Sequence, residues 1–162
     1  MARKTAVTKR KPKAKARKKP AAKATGAEKK GDFGAVFARL RGILAAHTPE
    51  LPVMRDDAKA YYIGMKRSGV FFDSLPEKQK KKPLMFGATI RGKAYVSFHL
   101  IPVYACPDLR NDLSPELRKR MQGKACFNFS TVDEPLFEEL AALTRRGLHA
   151  LETRPMGKGG CD

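Results

Sequence analysis

The chain has 162 residues, with 34 Lys and Arg against 16 Asp and Glu, a formal net charge of +18. Apolar residues make up 42%, enough for one core, which excludes a chain disordered throughout. No run of residues approaches the ~18 apolar positions of a membrane-spanning helix, and the N-terminal stretch lacks the apolar centre of a secretory signal.

The charge is concentrated. Residues 1–31 hold 13 Lys and Arg and one acid, Glu28, or +12; the other 131 residues hold 21 basic and 15 acidic side chains, or +6. This segment contains Pro12, Pro20 and Gly26, no aromatic residue, and Val7 as its one large aliphatic besides Met1. It cannot bury enough apolar surface to offset chain entropy, so it is expected to be a disordered tail. Cations at this density suit a polyanion, because neutralising phosphates releases counterions whatever the base sequence. The expected nucleic-acid contacts are Arg3, Lys4, Lys9, Arg10, Lys11, Lys13, Lys15, Arg17, Lys18, Lys19 and Lys23. In its Lys/Ala/Pro composition the tail resembles those of linker histones and some bacterial nucleoid proteins. It has no Trp, Phe or Leu to sink into a lipid interface, and no amphipathic face or serine that would suit a transit peptide.

A folded domain is expected over residues 32–154. Asp32 to His47 carries Phe33, Val36, Phe37, Leu40, Ile43 and Leu44 at helical spacing, with Asp32 as N-cap and Pro49 beyond its end. Short strands are expected at Leu51 to Arg55 and Ala60 to Met65. Residues 66–83, with Gly69, Pro76, Pro83 and the run Lys78 to Lys82, read as a loop anchored by Val70, Phe71, Phe72 and Leu75.

Leu84 to Ile90 and Lys93 to Ile101 read as a hairpin, with Gly92 supplying a positive φ at the turn. Period two puts Leu84, Phe86, Ala88 and Ile90 on the core face with Val96, Phe98 and Leu100. Met85, Gly87 and Thr89 then share the outer face with Tyr95, Ser97 and His99. Ser114 to Gly123 reads as a short helix, capped by Ser114, opened by Pro115 and stopped by Gly123. Lys124 to Ser130 alternates as a strand, with Phe127 and Phe129 opposed to Cys126 and Asn128. The last helix starts after Asp133 and buries Leu136, Phe137, Leu140, Leu143, Gly147, Leu148 and Leu151. Residues 155–162 are expected to fray. Three cysteines, Cys106, Cys126 and Cys161, with no C-x-x-C pair, point away from a disulfide framework and towards a reducing, cytoplasmic setting.

Helix, antiparallel sheet, short helix, strand and helix together define an α+β two-layer sandwich, its terminal helices packed on one face of the sheet. Gly92 to Tyr104, Leu113 to Phe129 and the closing amphipathic helix resemble the YdhG-like family of small bacterial proteins, over roughly Phe33 to Leu151. The resemblance implies a frataxin-like fold. For one relative it implies an iron chaperone serving iron–sulfur or haem assembly. Such sites are rich in carboxylates, as hard iron ions require. The nearest acids here are Glu50, Asp56 and Asp57, while the first helix offers Arg39 and Arg41 instead of an acidic ridge.

Cys126 and His99 are the residue types of a nucleophile pair, but no orienting third group stands out in the sequence. No phosphate-binding loop, dinucleotide fingerprint or nucleophile elbow is present. The expectation is therefore a cytoplasmic, non-enzymatic binding module without a cofactor. Its tail would contact nucleic acid, and its outer sheet face, around Tyr95, Ser97, His99 and Asn128, would contact a protein partner. Iron delivery is the alternative.

Overall fold

The computed structural model describes residues 32–157 and 160–161; the tail contacts expected over residues 1–31 lie outside the described residues. Helix α1 (Phe33–Ala45) starts where the sequence marks it. The Asp32 carboxylate accepts the backbone N–H groups of Gly34 and Ala35 at 2.9 and 3.2 Å, satisfying donors that the first turn leaves unpaired. The helix buries Val36, Phe37, Leu40 and Leu44.

Six strands form one sheet: β1 (Val53–Asp56), β2 (Ala60–Gly64), β3 (Met85–Arg91), β4 (Val96–Leu100), β5 (Met121–Gln122) and β6 (Cys126–Phe129). Their order is β1-β2-β3-β4-β6-β5, and every neighbouring pair is antiparallel. The long helix α6 (Glu134–Thr153) packs beside α1, and α1 lies on β3 and β4. The chain is thus the expected α+β sandwich. Phe98 stands opposite Phe127 and Val96 opposite Phe129, all at or below 1% exposure. Phe129 meets the α6 ring of Phe137 edge-on, centroids 5.1 Å apart. Each such ring taken out of water contributes about 1.5–3 kcal/mol to the core.

The segment read as a loop over 66–83 holds two short helices, α2 (Val70–Ser74) and α3 (Glu77–Lys80). Phe71 and Leu75 anchor it in the core, whereas Val70 stays exposed. After β4 come α4 (Ile101–Ala105), a 3-10 turn (Pro107–Arg110) and α5 (Pro115–Arg120). Helix α5 ends three residues before Gly123, which uses its positive φ of 74° in the turn from β5 to β6. Two residue pairs beyond Arg154, Met156–Gly157 (β7) and Gly160–Cys161 (β8), form a small hairpin where fraying was expected. The Met156 N–H donates to the Ser74 hydroxyl at 2.7 Å.

Three details differ from the sequence reading. First, β3 presents the opposite face over its second half. Ala88 stands against His99 and Ile90 against Ser97, while Gly87 faces Leu100 and Thr89 faces Phe98. The cause is a bulge: Ile63 pairs with Gly87 but Gly64 with Met85, so Phe86 is the extra residue and the alternation slips by one. A Cβ on Gly87 would lie 2.9 Å from Leu44 of α1, which confirms that this position faces the helices. Second, positive φ occurs at Gly69 and Gly123 among the described residues, not at Gly92. Gly92 serves close approach instead: its N–H donates to Tyr95 O at 2.9 Å, and a Cβ there would sit 2.8 Å from that oxygen. Third, Cys106 is disulfide-bonded and Cys126 is a free thiol. An odd cysteine count forbids complete pairing but leaves room for one bond.

Candidate functional site

The helices cover one face of the sheet and leave the other open. On the open face the antiparallel register sets Ser97 opposite Asn128 and His99 opposite Cys126. All four are half-buried. The Asn128 amide donates to Gln122 Oε1 at 2.7 Å, tying β6 to the short edge strand β5. Tyr95 stands just before β4, 40% exposed. The expected contact face is therefore one contiguous patch on β4 and β6, with Tyr95 at its rim. Beside it lie Ala88, flanked by Tyr62 and His99, and Ile90, in place of the Gly87 and Thr89 expected there; Met85, before the bulge, keeps the expected outer face.

The structure adds a contact that spacing did not reveal. Cys126 Sγ and His99 Nδ1 are 2.9 Å apart. Burial lowers the His99 pKa and raises that of Cys126, which favours the neutral form of each. Both shifts run against the thiolate–imidazolium couple of an activated nucleophile. The residue across from His99 on its other side is Ala88, which has no group to orient the ring.

Of the three acids that the iron alternative would use, Asp56 and Asp57 are each held by an arginine. Asp56 receives the fork of Arg41, with Nε to Oδ1 at 3.1 Å, and the same guanidinium lies 4.6 Å from the Tyr61 ring centre. Asp57 accepts the N–H groups of Lys59 and Ala60 at 2.8 and 2.9 Å and Nε of Arg55 at 2.6 Å. The backbone donor at Lys59, then Arg55, lowers the Asp57 pKa. Glu50 is exposed before Leu51. Arg39, the other arginine of α1, grips Glu134 at the start of α6. A cation at Asp56 and Asp57 would have to displace two guanidinium groups. Among the described residues no group of three His, Cys, Asp or Glu is placed to hold a metal ion.

Elsewhere the basic surplus gathers at α3. Lys78, Lys81 and Lys82 make no ion pair among the described residues. Arg67 reaches the same segment, donating to the Lys80 carbonyl at 2.7 Å while lying over the Phe72 ring. Arg67, Lys81 and Lys82 line one shallow groove there with Pro83 and Met54. A larger cleft, about 620 Å³, opens between β3, α2 and α4. Its methionines, Met65, Met85 and Met156, are far apart in the chain, so no local motif announced it.

Comparison with models of protein families, with curated proteins and with solved structures gave no match. Among the described residues, no helix is long and apolar enough to cross a membrane.

Proposed function

We propose that this protein is a non-enzymatic binding module whose N-terminal polycation contacts nucleic acid without sequence preference, in the cytoplasm. One observation carries the reading: +12 of the +18 net charge lies on residues 1–31, apart from any apolar pattern. The lysines around α3 support it, since they extend the positive field onto the folded domain. In this reading the open face around Ser97, His99 and Asn128 takes a protein partner. Membership of the YdhG-like family rests on the sequence resemblance alone. The iron alternative that comes with it finds no support in carboxylates already held by Arg41 and Arg55.

The test is binding of the full chain to duplex DNA and to RNA across a salt series. The logarithm of the affinity should fall linearly with the logarithm of salt, by about 0.9 per duplex phosphate neutralised. Deleting residues 2–31 should remove most of the affinity while leaving the thermal transition in place. Retention of that affinity by the truncated chain, or indifference to salt, would refute the proposal.

A further inference from the structure

The cleft between β3, α2 and α4 has the size of a small-molecule site, about 620 Å³. Its interior is aliphatic and soft. Met65, Phe71 and Leu75 are the buried part of its lining, joined by Met85 of β3, Ile101 of α4 and Met156 of the C-terminal hairpin. Methionine walls adapt to a flexible chain more readily than to a rigid ring system.

The rim has one sign of charge. Arg110 and Lys124 both line the opening, and among the described residues no Asp or Glu lines the cleft. Arg110 is half-buried; its Nε donates to the Pro107 carbonyl at 3.2 Å, and it has no carboxylate partner among the described residues. The Lys124 ammonium lies 5.6 Å from the centre of the Tyr104 ring, and Tyr104 is itself 60% exposed. Most other arginines close at hand are occupied: Arg154 is paired with Asp108, and Arg146 with Asp112. Arg110 and Lys124 are the cations that line the cleft itself, and neither has a carboxylate partner among the described residues.

We infer that this cleft binds a linear aliphatic chain that ends in a carboxylate, the chain among Met65, Met85, Ile101 and Met156 and the carboxylate between Arg110 and Lys124. Two features exclude the obvious competitors. A cationic amphiphile would meet Arg110 and Lys124 with no acid to offset them. A polar anion without a chain would leave the methionine walls exposed to water. The inference stands apart from nucleic-acid binding, which uses other residues.

The experiment is a titration of the full chain, labelled with carbon-13 at the methionine methyl groups, with decanoate below its micellar concentration at about 150 mM salt, where exposed charges are screened beyond ~8 Å. Saturable shifts are expected at Met65, Met85 and Met156, with Met54 and Met121 unmoved. From hexanoate to decanoate the affinity should rise about fourfold per methylene, the equivalent of ~0.8 kcal/mol each. Decanol should bind about tenfold more weakly, the equivalent of two partly screened ion pairs. Decyltrimethylammonium should not bind. The double variant Arg110→Gln, Lys124→Gln changes only the rim. It should bring decanoate down to the level of decanol while the same three methyl groups still respond. Ala105→Phe narrows the cleft and should weaken decanoate and decanol alike with the thermal transition retained. Absence of saturable shifts at those methyl groups, an equal response to the cationic chain, or a decanoate preference that survives the double variant would each overturn the inference. The last of these would assign the carboxylate to the N-terminal cations.

Discussion

The two faces of the sheet obey different rules, although every strand contributes to both. On the helix side, Phe98, Val96, Leu100 and Phe129 are sealed beneath α1 and α6, and even Thr89 is fully buried. On the open side, Ser97, His99, Cys126 and Asn128 remain half-exposed, with Cys126 against His99 and Asn128 bonded to Gln122. The difference is one of tolerance. The closed face is held by shape, so lost volume there is felt at once. The open face is held by polar contacts that water can replace.

The sharpest way to break the comparison is to truncate neighbours across one strand. Phe98→Ala should cost about 3–5 kcal/mol, because the ring is fully enclosed and its site is fixed by β3 and β6. Ser97→Ala, the adjacent residue on the open face, should change stability by less than ~0.5 kcal/mol. Chemical denaturation of both variants checks this; equal losses would show that the open face is also structural.

A smaller and opposite effect is expected at Thr89. Its hydroxyl is buried with no hydrogen-bond partner among the described residues. Thr89→Val keeps the branched shape and removes the unpaired group, so it should be neutral to stabilising, by up to ~1–2 kcal/mol. A clear loss of stability on denaturation would mean that the hydroxyl has a partner.

The smallest effect concerns pH. Burial lowers the pKa of both His99 and His47. The unfolded chain therefore takes up protons at its ordinary value of about 6.5, before the folded chain does. Stability should be full above that pH and should decline as pH falls from there through the lower folded values. His99→Gln should flatten part of this decline. A melting temperature independent of pH between neutrality and mild acid, or a slope unchanged by the substitution, would contradict it.

Much of the fold was legible because its signals are local. Asp32, Ser114 and Asp133 each cap the helix they precede, the stripe of α6 buries the expected residues, and that of α1 buries all but Phe33 and Ile43, which are half-buried. The phase of β3 was not legible. Alternation gives two faces but does not say which face survives a bulge, and Phe86 inserts one residue midway along the β2–β3 pairing. Gly87 and Thr89 looked too small or polar for a core. Gly87 sits there because Leu44 fills the space above it, and Thr89 because the register sets it across from the core residue Phe98. At the candidate sites, Ser97, His99 and Asn128 were correctly grouped by strand parity. The Cys126–His99 contact required knowing the register between β4 and β6, which a sequence does not encode locally. The aliphatic cleft was invisible for the same reason, being assembled from Met65, β3, α2, α4 and the C-terminal hairpin. The pairing of Asp56 with Arg41 links a strand to a helix across the fold, and it changed the meaning of an acidic cluster.

The sheet also ends in a particular way on each side. Strand β1 is exposed along its whole length, is interrupted between Val53 and Arg55, and carries the Arg41–Asp56 and Arg55–Asp57 pairs. At the far border, β5 is two residues long. Neither border offers the long, flat, uncharged ladder onto which another chain adds a strand. If many copies are crowded along one polyanion, their domains will meet at high local density. Borders of this kind keep such neighbours as separate beads instead of a continuous fibre, so crowding would remain reversible on release.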